Sequence, residues 1–257
     1  MEAETVSTTD WRDPAAYAPL LEADRSLMAW EWLRRDPLYR AAATSALSRG
    51  TGGKPLAGAA PFGLVAFENP DLGVPYARPL WRLDVHPYVL RVLPAASDTQ
   101  ADTFDLARLG RLASLLTSAS AGHLLLSDGL RAIRLDGPAS AFAGGSLALR
   151  YMLEGFESAE APLLTLRRFI ALWRTRSFAR SLHKRERRAR RWILMLRAYD
   201  ALTAAADQRE IARELLSRSV GERRWRSREP SVRSQVQRLV RSAREMAGGR
   251  YRNLLGQ

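Results

Sequence analysis

The stretch HLLLSDGLRAIRLDG, residues 123–137, decides the fold class, because it contains the clearest β-structure signal in the chain. Two apolar runs lie on either side of Asp128-Gly129. An Asp-Gly step between two such runs is a strong signal for a β-hairpin. A β-sheet is therefore predicted in the middle of the chain.

The segments on both sides of this hairpin continue a mixed pattern. Three of them are rich in strand-forming residues, namely FGLVAFEN (62–69), LWRLDVHPYVLRVLP (80–94) and GSLALRYMLEGF (145–156). FDLARLGRLASLL (104–116) instead repeats leucine at helical spacing. Residues 62–160 are therefore predicted to form a small sheet with one or two helices. No metal site is expected there, because His86 and His123 are isolated in the sequence.

Short helices are predicted before the sheet, in residues 11–48. Asp13 precedes Pro14, and an N-cap followed by proline is a typical helix start. Asp24 and Asp36 can begin two further helices in the same way. The large apolar residues of this segment are expected to form a packed core: Trp11, Tyr17, Leu20, Leu21, Leu27, Trp30, Leu33 and Tyr39.

A connector and a helical region complete the chain. Residues 49–61, RGTGGKPLAGAAP, are expected to be flexible, and their GTGGK lacks the spacing of a phosphate-binding loop. Residues 161–257 are predicted to be all-helical. The helix in 162–175 has a predicted apolar face of Leu163, Leu166, Phe169, Ile170 and Trp173. A later helix has a predicted stripe of Trp192, Met195, Leu196, Tyr199 and Leu202.

The charge of the chain is concentrated in its last third. The formal net charge is +13, yet residues 1–160 hold 15 Lys+Arg against 19 Asp+Glu, while residues 161–257 hold 25 against 8. A localised basic region favours a polyanionic partner, because each neutralised phosphate releases condensed counterions. The alternative is a solvated, arginine-rich surface, but a general arginine bias would not leave the first 160 residues net acidic.

Two short amphipathic helices are predicted in DQREIARELLSRS (207–219) and SVRSQVQRLVRSAREM (231–246). Asp207 and Glu210 form a capping box, in which the aspartate binds free amides and the glutamate reaches back. The first helix has an apolar face of Ile211, Ala212, Leu215 and Leu216. In the second helix, the residues expected to be buried are Val232, Val236, Leu239, Val240, Ala243 and Met246.

The other side of the second helix carries the predicted DNA contacts. Its members are Arg233, Gln237, Arg241 and Arg244, at i, i+4, i+8 and i+11, flanked by Ser234 and Arg238. Arginine can bind a guanine edge bidentately, glutamine can bind an adenine edge, and both also contact phosphate. Because an α-helix fits the major groove, this side is a candidate recognition face.

Two further basic groups are candidate phosphate contacts. The link between the helices, residues 219–229, is longer than an ordinary helix-turn-helix turn and carries Arg223, Arg224, Arg226 and Arg228 around Trp225. It is expected to contact the DNA backbone, and the alternative is a solvated loop. The run between Arg180 and Arg191 adds Arg187, Arg188 and Arg191.

Both ends of the chain resemble one family, the FseA/RovC-type transcriptional activators of proteobacteria. The resemblance rests on DWRDPAAY (10–17) near the start and REIARELL (209–216) near the end. It implies an N-terminal transcriptional-regulator domain and a C-terminal helix-turn-helix variant that acts on promoters of conjugative elements or type VI secretion genes. It also implies contact with RNA polymerase, or with an antiactivator protein.

The predicted fold class is therefore α+β, in four parts. They are an N-terminal small helical segment (1–48), the connector (49–61), a central small β-sheet with one or two helices (62–160), and a C-terminal all-helical, helix-turn-helix-like DNA-binding domain (161–257). Residues 1–48 and 62–160 are expected to form one domain.

The predicted function is sequence-specific transcription activation on double-stranded DNA, by a homo-oligomer. No cofactor or metal, no enzymatic activity and no membrane partner are expected, because no catalytic motif, cysteine or long apolar run occurs. A cytoplasmic, nucleoid-associated location is expected. Two alternatives stay open: a non-specific architectural or RNA-binding protein, and a module that docks a protein partner.

Overall fold

The computed structural model describes residues 10–50, 57–96, 102–144, 146–217 and 230–256. The chain divides into two compact units. One contains residues 10–22 together with Arg185–Asn253, and the other contains Ala23–Lys184 together with the last residues of the chain. The first is helical and the second is built around a β-sheet, so the α+β class predicted from the sequence is confirmed.

The sheet unit contains six strands: β1 (Val89–Pro94), β2 (Thr103–Asp105), β3 (Ala113–Thr117), β4 (Ala121–Ser127), β5 (Ala132–Pro138) and β6 (Ser146–Met152). Their order is β2-β6-β1-β5-β4-β3, with β1 and β5 parallel and the other neighbours antiparallel. The predicted hairpin is β4–β5, in which Ser127 is paired with Ala132 around Gly129, whose φ is 93°. The strand predicted in 145–156 is confirmed as β6.

Three local predictions in this unit are wrong. Residues 104–116 are β2, a 3₁₀ helix (Leu106–Leu112) and β3 rather than an α-helix. Leucines at 106, 109 and 112 recur every three residues, which suits the three-residue turn of a 3₁₀ helix, and Gly110 at φ 47° breaks the helix. Residues 62–69 contribute only an isolated bridge, Leu64 to Trp81. In 80–94 the strand begins only at Val89.

Three helices of the sheet unit are α1 (Arg25–Leu33), α2 (Pro37–Ser48) and α3 (Glu160–Thr175). Asp36 caps α2 by accepting a hydrogen bond from the Leu38 amide at 2.8 Å. Asp24 stands at the N-cap of α1 as predicted, but its carboxylate accepts a hydrogen bond from the Ala132 amide instead. The expected connector is only partly described, and its end, Ala57–Phe62, forms a 3₁₀ helix.

Helix α3 packs on β1 and β5 through a face that matches the predicted one only in part, since Phe169, Leu166 and Trp173 contact the core. Thr165, Phe169 and Leu172 are buried, at i, i+4 and i+7. Leu163 and Ile170, predicted to be buried, are 46% and 37% exposed. The apolar residues of α3 cover more than one side of the helix, so contact with the sheet decided which side is buried.

The helical unit contains α4 (Ala189–Thr203), α5 (Gln208–Leu215) and α6 (Pro230–Ala247). It also includes a 3₁₀ helix, Pro14–Leu21, capped by Asp13, which accepts a hydrogen bond from the Ala15 amide at 2.9 Å. Helix α4 contacts α5, α6 and this 3₁₀ helix. Its buried side chains are Ala189, Met195, Leu196, Ala198 and Ala201, whereas Trp192, Tyr199 and Leu202 of the predicted stripe are half-buried.

The segment before Ala23 belongs to the core of the helical unit. Trp11, Tyr17 and Leu20 are at most 4% exposed. The Tyr17 hydroxyl donates a hydrogen bond to Asp200 Oδ2 at 2.6 Å, and Arg197 Nε donates to the Trp11 carbonyl at 2.8 Å. These contacts fix residues 10–22 against α4.

Candidate DNA-binding surface

The buried side of α6 holds this helix against its neighbours. Its buried residues are Val236, Leu239, Val240, Ala243 and Met246, at 0% to 8% exposure, and Val232 is half-buried. Helix α6 packs mainly on α4 and also on α5. The apolar stripe predicted from the sequence is therefore confirmed, apart from the partial exposure of Val232. A 3₁₀ helix, Arg250–Leu254, follows α6, and Tyr251, Leu254 and Leu255 are buried.

All the predicted contact residues of α6 are exposed: Arg233, Ser234, Gln237, Arg238, Arg241 and Arg244. At about 100° per residue they cover an arc of about 140°, opposite the buried stripe. Within the described parts of the chain, none of the four arginines forms an ion pair with a carboxylate. The α6 surface therefore presents uncompensated positive charge together with an amide and a hydroxyl.

Helix α5 is held at its start by the predicted cap. Asp207 Oδ1 accepts a hydrogen bond from the Glu210 amide at 2.8 Å. The Glu210 carboxylate pairs with the Arg12 guanidinium, which is a partner the capping-box pattern did not indicate. Ile211 and Ala212 are fully buried, whereas Leu215 and Leu216 of the predicted apolar face are half-buried.

A groove of about 560 Å³ lies between α5 and α6. It is lined by Gln208 of α5 and by Gln237, Val240, Arg241, Arg244 and Glu245 of α6. The structure thus brings three predicted contact residues together with Gln208, which was not among the residues predicted from the sequence. The sequence did contain a signal for Gln208. This polar residue lies three positions before Ile211 and four before Ala212, so it falls on the face of α5 that packs inward.

The second basic group lies at the start of α4. Arg187, Arg188 and Arg191 are exposed, directly before and within the first turn of this helix. Cations at a helix N-terminus are disfavoured by the helix dipole, so these arginines gain no stabilisation from the dipole of α4. Nearby Arg185 is different, because it pairs with Glu22. The four arginines predicted in the link, Arg223, Arg224, Arg226 and Arg228, lie outside the described residues.

Within the described ranges, no group of His, Asp and Glu side chains is arranged to hold a metal ion. His86 Nδ1 lies 3.0 Å from the Leu255 carbonyl oxygen, and His123 Nδ1 lies 3.0 Å from Asp136 Oδ1. Asp84 pairs with Arg82 rather than with His86. No helix in the described parts of the chain has the length and apolar character needed to cross a membrane.

Two family models match the chain. The model of the type VI secretion system (T6SS) transcription factor DNA-binding domain, RovC_DNA-bd, matches residues 155–256. The model of the proteobacterial transcriptional regulator-like domain matches residues 10–62. The chain is therefore a DNA-binding transcription regulator.

More particularly, it has the domain pair of the FseA/RovC-type regulators, which confirms the resemblance seen in the sequence. Neither model describes an enzyme. No curated protein and no solved structure gives a significant match to the chain.

Proposed function

We propose that the protein is a sequence-specific transcription activator that places α6 in the major groove of its operator. The observation that carries this proposal is the division of α6 into a buried apolar side and an exposed Arg/Gln/Ser side. The buried side fixes the helix against α4 and α5, so the exposed side chains project from a rigid support. Arginine and glutamine on such a support suit guanine and adenine edges.

Phosphate contacts are assigned to two other groups in this proposal. Arg187, Arg188 and Arg191 at the start of α4 are exposed and gain no stabilisation from the helix dipole. The link residues Arg223, Arg224, Arg226 and Arg228 are proposed to contact the backbone in the same way. Each arginine that neutralises a phosphate steepens the salt dependence of binding by about 0.9 in the log–log slope.

The regulated genes are proposed to be secretion-system or conjugative-element genes. Support for the first comes from the family description of residues 155–256 as a T6SS transcription factor domain. Activation implies a contact with RNA polymerase, and an antiactivator would act by occupying such a surface. We also propose a homo-oligomer, because two reading heads on one operator multiply specificity.

The test is binding of the full chain to duplexes from the region upstream of its own gene and of the neighbouring operons, against random duplex of equal length. Specific binding is expected to exceed binding to random duplex by at least about 10³-fold. Equal affinity for all duplexes would favour a non-specific architectural protein. A preference for RNA in competition would favour an RNA-binding protein. Binding to no nucleic acid would leave the protein-docking module.

The recognition helix is tested by comparing three arginine variants. Arg241→Ala is expected to weaken operator binding by about 5- to 150-fold and to relax discrimination at one base pair. Arg188→Ala is expected to weaken operator and random duplex equally. Arg213→Ala is the control, because this exposed arginine of α5 pairs with its neighbour Glu214 and lies outside the groove. Equal, uniform losses for the first two variants would exclude α6 as the reading element.

Activation is separated from repression by transcription in vitro with RNA polymerase on a template carrying the bound region. The protein is expected to increase the yield of transcript, and Arg241→Ala is expected to abolish the increase at protein concentrations where the operator is no longer bound. A decrease in transcript with the wild-type protein would identify a repressor that uses the same DNA-binding surface.

A further inference from the structure

We propose that the DNA interface extends from α6 onto the first turn of α5, where Gln208 reads a base edge. This inference rests on the proposed function, because it requires the exposed side of α6 to face DNA. Its first support is the groove between the two helices, in which Gln208 faces Gln237, Arg241 and Arg244. A single DNA segment that reaches these three residues of α6 therefore passes Gln208.

The second support is the position of Gln208 on its own helix. It lies three residues before Ile211 and four before Ala212, both fully buried, so it belongs to the side of α5 that packs on α6. The helical period predicts an apolar residue at this position. Gln208 is half-buried, so part of its side chain is already ordered by the packing of α5 on α6. Among the described residues no group forms a hydrogen bond with its amide, which is therefore available to a ligand.

The charges around the groove favour a base edge over a phosphate as the group that Gln208 contacts. Asp207, an exposed carboxylate, stands at the start of α5 and repels a phosphate placed there. Glu210 and Glu245 are neutralised by Arg12 and Arg250. An amide that both donates and accepts suits the N6 and N7 atoms of adenine, and partial burial holds it ready for that contact.

The test uses two variants of Gln208 and one matched control. Gln208→Ala removes the amide, and Gln208→Leu replaces it with the apolar side chain that the packing pattern predicts. Gln235→Ala is the control, because Gln235 is an exposed glutamine of α6 that does not line the groove and lies about 160° around the helix axis from Gln237. The probe is the upstream duplex that the full chain protects in footprinting, compared with random duplex.

Both Gln208 variants are expected to weaken binding to the footprinted duplex by about 5- to 150-fold and to leave binding to random duplex unchanged. Their discrimination at one A·T base pair is expected to disappear, while Gln235→Ala binds as the wild type does. Gln208→Leu should melt at or above the wild-type temperature, so its loss of binding cannot be ascribed to unfolding.

Two results would overturn the inference. If both variants bind the footprinted duplex as tightly as the wild type while Arg241→Ala loses discrimination, α5 only supports α6 and the proposed function stands. If the variants weaken specific and random binding equally, Gln208 does not read a base. If Arg241→Ala also keeps full discrimination, the proposed function itself fails.

Discussion

The buried carboxylate of Glu31 tests which contacts stabilise the part of the chain that matches the transcriptional regulator-like family model, residues 10–62. Its carboxylate is buried and receives three hydrogen bonds: from Arg34 Nε at 2.7 Å, from Arg35 Nη1 at 2.6 Å and from the Val74 amide at 2.8 Å. The side chain is 4% exposed, and those of Arg34 and Arg35 are 15% and 12% exposed. The Glu31 carboxylate therefore forms ion pairs with two largely buried guanidinium groups.

The substitution Glu31→Gln removes that charge and keeps the shape. Breaking a buried ion pair from one side costs about 3–5 kcal/mol, and the lower value applies because the amide oxygen still accepts one hydrogen bond. For a unit of this size, about 3 kcal/mol corresponds to a fall of about 6–12 °C in melting temperature. The Glu154→Gln control breaks an exposed pair with Arg91, and we expect it to cost less than about 1 kcal/mol.

The same carboxylate predicts a pH dependence with a definite sign. Burial by itself raises the pKa of Glu31, but the charges and hydrogen bonds of Arg35 and Arg34 outweigh it and place the pKa below its ordinary value. The unfolded chain then binds this proton more readily, so the stabilisation is complete above about pH 4.5 and decreases as the pH falls through the folded pKa.

The assay is urea unfolding at neutral pH and at several acidic pH values, for the wild type, Glu31→Gln and Glu154→Gln. The difference between wild type and Glu31→Gln is expected to be largest at neutral pH and to shrink on acidification. Equal midpoints for Glu31→Gln and Glu154→Gln at neutral pH would refute the reasoning, because they would show that the buried pair contributes no more than the exposed one.

Three further perturbations follow from single contacts. Asp207→Ala should lower the stability of the helical unit by about 1 kcal/mol in urea unfolding, with Asp207→Asn as the capping control; equal losses would contradict the cap. Gly129→Ala should cost more than about 1 kcal/mol, since φ is 93° and a Cβ would lie 2.8 Å from Pro75 Cβ. Gly144→Ala, also at positive φ but in open space, should melt at a higher temperature than Gly129→Ala; the reverse order would exclude the steric cause. Burial lowers the pKa of His86 despite the opposing hydrogen bond to Leu255, so its share of stability is present above about pH 6.5 and decreases below it. When the pH falls from about 7.5 to 5.5, the free energy of urea unfolding should decrease less for His86→Gln than for the wild type. Equal decreases for the two proteins would contradict this role of His86.

Local patterns predicted the elements whose partners are near in the chain. The Asp128-Gly129 step marks the β4–β5 hairpin, because the turn residue and the two apolar runs are adjacent. The stripe from Val236 to Met246 identifies the buried side of α6, because one helix carries the whole signal. Asp13, Asp36 and Asp207 cap helices through amides two or three residues away.

Long-range contacts decided what those patterns left open. Tyr17 and Asp200 are joined by a hydrogen bond across most of the chain, so the place of residues 10–22 in the helical unit had no local signal. Leucines 106, 109 and 112 suit either an α-helix or a 3₁₀ helix between strands, and pairing of β2 with β6 and of β3 with β4 selected the second. The Tyr17–Asp200 contact and the β2–β6 pairing join residues that are far apart in sequence, whereas β3 and β4 are adjacent strands.

For the candidate DNA-binding surface, the sequence by itself determined which residues of α6 face outward and that the last third of the chain is basic. The helical period and the charge of α6 are set by the residues of that helix alone, so the sequence shows them directly. Only the tertiary structure decided that Gln208 lies beside Gln237, Arg241 and Arg244, because a groove exists only where two helices pack. This is why our proposal extends the reading surface from α6 to α5.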